Sequence, residues 1–485
     1  MRRLLPITLL LAALFAPRAA GAEEPPAKTL GRQLDPVVVV GNPLRALWGR
    51  KITQLRLFAL RNGRFEPIPY QIDKKNPEGE FLLETGEVPE YVRKEVGLQG
   101  FSESRKRALR IQEFEKKQQK KKLNPQAAAS EREWAYFNEQ MEELDYNDQL
   151  VFMARDAGGR TPYTRWPTTD GVELEITDPT NGAKAWVYLL HFLKDPPPPS
   201  PEDYIRYDSK ADRIDARLGV LDFADGKPMI LETVSGRLPD GTSTPNFLDR
   251  FKLRVRVLPI PLACVPLFFD ENNARAFTIG YKDGPVRVIR RTVFWLVIGG
   301  LKLPFVPRIT MNFLFYENGL ATDARFKSPV DASYVICPGS YFRAGLDLRK
   351  SALGAKVFTK DNQELLFDGK MPEKEKKFIG SGQHWIAGVL PDGTALLSRM
   401  RYDPQLIRKG VIPDFYFLDD SSKNDTPEAE PGQHFIGYEM DVRKFPKGTY
   451  QIGFQVYVTQ SFRPGQEQEL LRIDDAPLKV TRPLP

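Results

Sequence analysis

The chain has 485 residues, of which 41% are hydrophobic and 27% are charged, and its formal net charge is +7. A chain of this length exceeds what one hydrophobic core normally serves, so we expect at least two domains. The charge balance is too mild for a typical nucleic-acid-binding protein, and no nucleic-acid partner is expected.

Residues 1–22 have the three-part pattern of a secretory signal peptide. Arg2 and Arg3 precede the apolar run Leu4–Phe15, and small residues lead up to Ala22. The apolar run is too short to span a bilayer as a helix. We therefore expect cleavage near Ala22 and a mature chain that is periplasmic or secreted, in a cell envelope of the Gram-negative type.

A first β-domain is predicted over residues 23–200, with a helical insertion over residues 79–142. The insertion lacks the alternation of strands and is rich in strong helix formers. Its basic run, Lys116–Lys122, is a candidate contact for an anionic surface. The same run is typical of a solvated helix face, and the sequence leaves both interpretations open.

Residues 201–485 are predicted to form one or more C-terminal β-sandwich domains. Apolar and polar residues alternate over residues 251–257, 309–315 and 450–458, and Pro and Gly recur at short intervals. A polar loop is predicted over residues 419–432. The expected fold class is therefore mainly β, with antiparallel β-sandwich or barrel domains and a helical insertion in the first domain.

The two cysteines, Cys264 and Cys337, both lie in apolar surroundings. They can form a disulfide in an oxidising compartment or remain buried thiols, and the sequence does not decide because it does not reveal their distance. The longest apolar run after the signal peptide, Thr292–Leu301, is too short for a membrane-spanning helix. An integral membrane protein is therefore not expected.

Three polar residues, Asp145, Asn147 and Asp148, precede the apolar segment Leu150–Met153. Oxygen ligands at alternate positions can bind calcium, which makes these three weak candidates for a metal site. They match only part of a calcium loop, because the third alternate position is a glutamine and no glycine follows. The alternative is a turn into a buried strand whose partner is the segment PIPYQID, residues 67–73.

Four segments together resemble a known family. They are PIPYQID (67–73), DQLVFMARDAG (148–158), DGPVRVIRRTVFW (283–295) and MNFLFYENGLATDARFKSP (311–329). They are similar to motifs of secreted bacterial β-sandwich proteins related to exo-rhamnogalacturonan lyases, in which a RIFT barrel is joined to a galactose-mutarotase-like super-sandwich. The resemblance implies that fold and a carbohydrate substrate class, but its motifs are structural. The chain departs from the family at Gln149, where the family has Glu, and in its helical insertion.

Two histidines share a Gln-His-aromatic-Ile pattern: His384 and His434. On neighbouring strands they could face each other, with Glu439 nearby, and a histidine beside a carboxylate can act as a general base. These three are the candidate catalytic residues. The pattern is also typical of paired strands without chemical meaning.

Tryptophan rings can cover a sugar face, and Trp166 and Trp385 are the candidate ligand-binding residues. Trp166 lies in a loop-like segment between two prolines. The chain contains no nucleotide-binding, nucleophile-elbow or zinc-helix motif, so no cofactor is expected.

These observations favour an exported, non-enzymatic binding or accessory protein of the cell envelope. Its expected partner is a polysaccharide or another envelope protein. The alternative is a carbohydrate-active enzyme, either a polysaccharide lyase or a mutarotase-like protein, that uses His384, His434 and a carboxylate.

Overall fold

The computed structural model describes residues 26–75, 79–85, 142–238, 240–298, 301–302, 308–360, 364–371, 385–424, 426, 430–460 and 462–483. The predicted signal peptide, Lys116–Lys122 and His384 lie outside these residues. So does most of the predicted helical insertion. In the described part the chain is mainly β and its strands pair antiparallel, which confirms the predicted fold class.

The strands fall into two halves of the chain. The first half contains β1 (Pro36–Val40), β2 (Leu55–Arg61), β3 (Arg64–Pro67), β4 (Gln71–Asp73), β5 (Glu84–Thr85), β6 (Gln149–Met153), β7 (Gly171–Thr177), β8 (Lys184–His191), β9 (Ile205–Asp208), β10 (Arg213–Ala216), β11 (Gly219–Ala224), β12 (Lys227–Gly236), β13 (Leu248–Val257) and β14 (Leu267–Asp270). The second half contains β15 (Ala274–Lys282), β16 (Arg287–Ile298), β17 (Leu301–Lys302), β18 (Ile309–Tyr316), β19 (Gly319–Ser328), β20 (Tyr341–Leu348), β21 (Lys356–Thr359), β22 (Leu365–Leu366), β23 (Ile386–Val389), β24 (Ala395–Tyr402), β25 (Asp414–Asp420), β26 (Gln433–Asp441), β27 (Gly448–Thr459) and β28 (Lys479–Thr481).

Helices are few and short among the described residues. The α-helices are α1 (Pro404–Arg408) and α2 (Glu467–Asp475). Short 3-10 helices occur at Asn42–Leu47, Ile52–Gln54, Ala154–Asp156, Tyr163–Arg165, Ile260–Leu262, Glu271–Asn273, Ala332–Tyr334, Lys350–Ala352 and Val442–Lys444. No helix in the described part is long and apolar enough to cross a bilayer.

The N-terminal unit is a sandwich of two small sheets. Sheet A has the order β1-β6-β4, and sheet B has the order β28-β7-β8-β2-β3. Alternate residues of each sheet face the other, so that Val37 and Phe152 of sheet A share a core with Val172 and Leu189 of sheet B. Burial of each such side chain contributes about 1.5–3 kcal/mol, which makes this core the main stabilisation of the unit.

The predicted pairing of PIPYQID with the segment after the acidic turn is confirmed. β4 pairs with β6, and Gln71 lies opposite Val151. The residues from Leu150 to Met153 are fully buried. The described start of the predicted insertion is extended, because Phe81 bridges Lys75 and β5 pairs with β15.

The C-terminal part is built on one large sheet. Sheet E contains eleven strands in the order β22-β21-β23-β24-β27-β19-β18-β16-β15-β5, with β17 paired to β16. Sheet C (β12-β11-β10-β9) and sheet D (β14-β13-β20-β26-β25) pack against it. Sheet C shares a core with sheet E through Phe223 and Phe313, and sheet D does so through Tyr438 and Ile452.

The two parts of the chain exchange strands. β5, from the N-terminal part, joins sheet E, and β28, near the C-terminus, joins sheet B. The predicted boundary at residue 200 falls between β8 of sheet B and β9 of sheet C. The N-terminal unit nevertheless depends on residues from both ends of the chain.

Cys264 and Cys337 form a disulfide, with their Cα atoms 5.9 Å apart. It joins the loop after β13 to the loop before β20. The backbone of the two loops also pairs directly, since the amide of Ile260 donates to the carbonyl of Val335 over 3.0 Å. The disulfide therefore braces one end of sheet D.

Candidate functional site

Sheet D has two chemically different faces, because side chains alternate along a strand. In β26, His434, Ile436 and Tyr438 face sheet E and are buried. Glu439 is an odd number of residues from His434 and points to the outer face, where it pairs with Arg343. The structure therefore does not bring His434 and Glu439 together. With His384 outside the described residues, the catalytic role of these three stays a prediction.

The outer face of sheet D carries a groove with a volume of about 460 Å³. We call it the outer groove. It is lined by Arg254, Val255, Phe268, Phe269, Asp270, Tyr341, Arg343, Tyr416, Leu418, Thr426, Gln433 and Phe435.

The middle of this face is low because two glycines lie opposite each other. Gly345 of β20 pairs with Gly437 of β26. A Cβ on either glycine would collide with a carbonyl oxygen of the neighbouring strand, of Ile436 or of Ala344. The glycines thus allow close strand packing, and they leave the groove between taller side chains on either side.

Arg343 is the central charged residue of the outer groove. Its guanidinium lies 3.9 Å from the ring centre of Tyr341 and 4.1 Å from that of Tyr416. Its Nε donates to a carboxylate oxygen of Glu439, and its Nη1 donates to the hydroxyl of Tyr416 over 3.2 Å. Stacking on two rings and an ion pair together fix the plane of the guanidinium.

The second arginine of the groove is also paired. Arg254 Nη1 donates to Glu271 Oε2, and Nη2 donates to the carbonyl of Thr426 over 3.4 Å. Burial raises the pKa of Glu271, and the charge of Arg254 opposes that rise. Each groove arginine therefore has a carboxylate partner, so the groove offers directed donors and acceptors with little excess charge.

Phe268 forms an exposed aromatic edge of the groove, with 67% of its surface accessible to solvent. The guanidinium of Arg256 lies 5.9 Å from its ring centre. Phe435, in contrast, is buried and packs edge-on against Tyr416, with ring centres 5.3 Å apart. The groove thus combines one exposed ring with rings held in place by their neighbours.

The inner face of sheet D ends in a second polar cluster. His434 Nδ1 lies 2.6 Å from Asp419 Oδ1, and His434 Nε2 lies 3.4 Å from the hydroxyl of Ser421. The other carboxylate oxygen of Asp419 accepts from the amides of Asp368 and Gly369, over 2.8 and 2.9 Å. Because a carboxylate accepts, Nδ1 carries the proton and the lone pair of Nε2 faces Ser421.

Two glycines with positive φ flank this contact: Gly369 at 78° and Gly432 at 128°. A Cβ on Gly369 would collide with the hydroxyl of Ser421, and one on Gly432 would lie 2.8 Å from His434 Nε2. Any side chain at these positions would therefore displace the serine or the histidine. The sequence analysis missed Asp419 and Ser421, because both lie in the stretch expected to be a polar loop.

The polar cluster before β6 is filled by a lysine. Lys74 Nζ donates to Asp145 Oδ2 over 2.8 Å, to Asp148 Oδ2 over 2.7 Å and to the carbonyl of Glu143 over 2.7 Å. The ammonium group thus occupies the position between the carboxylates that a cation would take. Asn147 contributes its amide N–H to Asp145 Oδ1 over 3.3 Å. Among the described residues, no group of three or more His, Cys, Asp or Glu is placed to hold a metal ion.

Burial raises the pKa of Asp148 to about 7, although the nearby charge of Lys74 acts in the opposite direction. The carboxylate of Asp145 adds to the rise. This cluster therefore titrates near neutral pH, as a structural element of the turn into β6.

The predicted tryptophan ligands lie away from the outer groove. Trp166 is half-buried and packs edge-on between Tyr163 and Tyr188, with ring centres 4.8 and 5.3 Å away. Trp385 is half-buried against a core that includes Leu397 and Phe462. Both rings serve packing, and their role in ligand binding stays a prediction.

The chain matches no family model and no curated protein. The resemblance to exo-rhamnogalacturonan lyases is therefore without support from sequence comparison. Among solved structures, an α-mannosidase from Enterococcus faecalis V583 aligns with 95% of this chain and 45% of its own, at 8% identity and a TM-score of 0.41. A glycosyl hydrolase family 38 protein from E. faecalis aligns with 94% of this chain and 47% of its own, at 7% identity and a TM-score of 0.43.

A shorter neighbour is the Slr1438 protein from Synechocystis sp. PCC 6803, with 10% identity and a TM-score of 0.28. It aligns over 54% of this chain and 97% of its own. The chain spans less than half the length of the two Enterococcus proteins. TM-scores this low do not establish a shared fold.

Proposed function

We propose that the protein is an exported, non-enzymatic binding protein of the cell envelope and that its outer groove binds a neutral carbohydrate. The observation that carries this proposal is Arg343, held flat between Tyr341 and Tyr416 on the glycine floor of the groove. Sugar rings present apolar C–H faces and a belt of hydroxyls. Recognition therefore needs fixed aromatic surface beside fixed hydrogen-bonding groups, which this arrangement supplies.

The size of the groove fits a small ligand. Its volume of about 460 Å³ lies within the roughly 300–1,000 Å³ of typical small-molecule sites. Gln433, Asp270 and Thr426 on its walls offer both donors and acceptors for hydroxyl groups. This combination suits a short stretch of an oligosaccharide.

Charge pairing favours a neutral sugar over an acidic one. Arg343 is paired with Glu439, and Arg254 with Glu271. Close by on the same face, Lys252 is buried against Asp347. An anionic polymer would gain little net attraction from such a surface.

The disulfide supports export, since disulfides form and persist mainly in oxidising compartments. It joins Cys264 to Cys337 in the described part of the chain. This agrees with the signal peptide expected over residues 1–22, which localisation of the full-length chain in a Gram-negative host would test.

Carbohydrate binding can be tested on a glycan array followed by calorimetry with the best ligand. Tyr341→Ala and Tyr416→Ala should each weaken binding at least tenfold, because both remove ring surface and release the guanidinium of Arg343. Tyr163→Ala is the matched control, since Tyr163 is an exposed tyrosine outside the groove. Absence of any glycan ligand, or equal affinity in all variants, would overturn the proposal.

A second candidate function is favoured by the alignment of Asp419, His434 and Ser421. In order, these residues have the roles of an orienting acid, a general base and a nucleophile. Ser421 would attack an acyl carbonyl as its proton passes to His434 Nε2, which then protonates the leaving alcohol before water releases the acyl group. This alternative uses Asp419 in place of the predicted Glu439. The 3.4 Å contact exceeds the ~2.6–3.2 Å of an aligned pair and has to shorten on binding.

A fluorophosphonate probe distinguishes this second function from simple binding, because it labels activated serines. The native protein and Ser422→Ala should be labelled, and Ser421→Ala should not. Ser422 is a suitable control because it neighbours Ser421 and its hydroxyl is bound to Asp420 instead. An unlabelled native protein would leave sugar binding as the function.

A further inference from the structure

A cavity lies inside the C-terminal sandwich, on the opposite side of sheet D from the outer groove. Its volume is about 180 Å³. We call it the inner cavity. Sheets C, D and E all contribute to its wall, for example through Phe223, Met311, Ala344, Leu346, Gly388 and Phe454.

The wall of the inner cavity is almost entirely hydrocarbon. Two hydroxyl-bearing residues on it are already engaged: Tyr438 donates to the carbonyl of Ser398 over 2.9 Å, and Thr322 Oγ1 accepts from the amide of Phe454 over 2.7 Å. A buried water needs about two to four polar partners to be stable. The cavity offers no such set on its described wall, so water gains little by entering it.

The arrangement of the sheets explains the space. Sheets C and D lie side by side on the same face of sheet E, and all three meet at the cavity. Two adjoining sheets with different twists do not fill the seam between them, unless large side chains do so. The residues at the seam decide whether it is filled.

Gly388 is the position where a filling side chain is missing. In β23 and just after it, Ile386, Gly388 and Leu390 face the cavity, whereas Ala387 and Val389 belong to the core on the other side of sheet E. No heavy atom lies within 4 Å of the place where a Cβ of Gly388 would stand. Its φ is also not positive, so neither backbone conformation nor lack of space requires glycine there.

We propose that the inner cavity is a binding site for an apolar ligand, namely a ring or chain end of about six to eight carbon atoms. An engineered apolar cavity of about 150 Å³ in another protein stays dry and binds benzene, and the inner cavity is slightly larger. The ligand is recognised by shape and lack of polarity, with any polar head group outside the wall described here. The site is separate from the outer groove, and the proposal does not depend on sugar binding.

Thermal unfolding of the full chain tests the proposal, with toluene as the probe and phenol as its polar counterpart. Toluene near saturation should raise Tm by roughly 1–3 °C, because a ligand of the native state stabilises it by mass action. Phenol should raise it less, since its hydroxyl would lose hydrogen bonds to water. A lack of any shift with toluene would overturn the proposal.

Gly388→Leu places a side chain in the cavity and should abolish the toluene shift. Gly31→Leu is the control, since Gly31 is an exposed glycine that also has no heavy atom within 4 Å of its Cβ position. It should keep the full shift. A toluene shift that Gly388→Leu leaves unchanged would place the ligand elsewhere and contradict the proposal.

Two further measurements keep the test decisive if Gly388→Leu folds poorly. Gly388→Ala adds less volume and should reduce the toluene shift without removing it. Equilibrium dialysis with fluorobenzene should give one bound molecule per native chain and fewer for Gly388→Ala. Equal binding by the two proteins would refute the assignment to this cavity.

Discussion

Asp73 and Arg287, which are 214 residues apart in the sequence, form a buried ion pair between the N-terminal unit and sheet E. Arg287 Nε and Nη2 lie 2.8 and 2.7 Å from Asp73 Oδ2. The remaining donors of Arg287 reach Tyr316 and Gln149, over 2.9 and 2.6 Å. Gln71 Oε1 accepts from the amide of Arg287 over 2.9 Å. Two of the segments singled out from the sequence therefore bind each other.

Arg287→Met should destabilise the protein by about 3–5 kcal/mol, because it leaves the buried carboxylate of Asp73 without its main partner. Lys282 Nζ, 2.9 Å from Asp73 Oδ1, remains as a partial replacement. The change is measured as a lower midpoint in urea. Arg206→Met is the control, because Arg206 is exposed in its pair with Asp203 and should change the midpoint little. Similar midpoints for the two variants would show that the buried pair contributes no more than a surface pair.

Local patterns predicted the N-terminal strands but not this junction. Alternation and the acidic turn were enough to pair residues 67–73 with Leu150–Met153. The contact between Gln71 and Arg287 depends on where two separate sheets meet, which no local pattern records.

The outer groove shows the same limit. The cationic face of β13 was visible in the sequence and contains Arg254. The order of sheet D, which places Arg343 of β20 and Tyr416 of β25 beside it, comes from long-range pairing. His434 was recognised as a candidate, but its partner was expected at Glu439. The register of β25 and β26 places Asp419 opposite it instead.

The titration of Asp148 predicts a pH dependence of stability. Burial raises its pKa to about 7 in the folded protein, whereas an unfolded Asp has a pKa of about 3.9. Between these values the folded state binds more protons than the unfolded state. The stability that this group contributes is therefore full below about pH 4, declines as the pH rises towards 7, and is constant above it.

Asp148→Asn removes that component and should make the stability less dependent on pH between 4 and 7. The slope from a single group is at most about 1.4 kcal/mol per pH unit. Urea midpoints at several pH values in this range measure it. Lys74 keeps its contacts to Asp145 and to the carbonyl of Glu143 in this variant. An unchanged slope would mean that Asp148 titrates at its ordinary pKa.

The disulfide should stabilise the protein through the unfolded state. It closes a loop with a sequence separation of 73, for which loss of chain entropy predicts roughly 4 kcal/mol. The double variant Cys264→Ser with Cys337→Ser should therefore unfold at lower urea concentration. Reduction of the native protein should reproduce that midpoint, and reductant should not affect the variant. A stable, unaltered midpoint after complete reduction would contradict the prediction.

Arg343→Lys separates the shape of the central cation from its charge. Lysine keeps the positive charge opposite Glu439, but it has no planar group to lie between Tyr341 and Tyr416. If the rigid stack is what recognises the sugar, affinity for the glycan ligand should fall at least tenfold while the urea midpoint changes little, because the site is only half-buried. Calorimetry and urea unfolding on the same preparation measure both. Full affinity in Arg343→Lys would show that charge alone suffices, and a large loss of stability would instead assign Arg343 a structural role in sheet D.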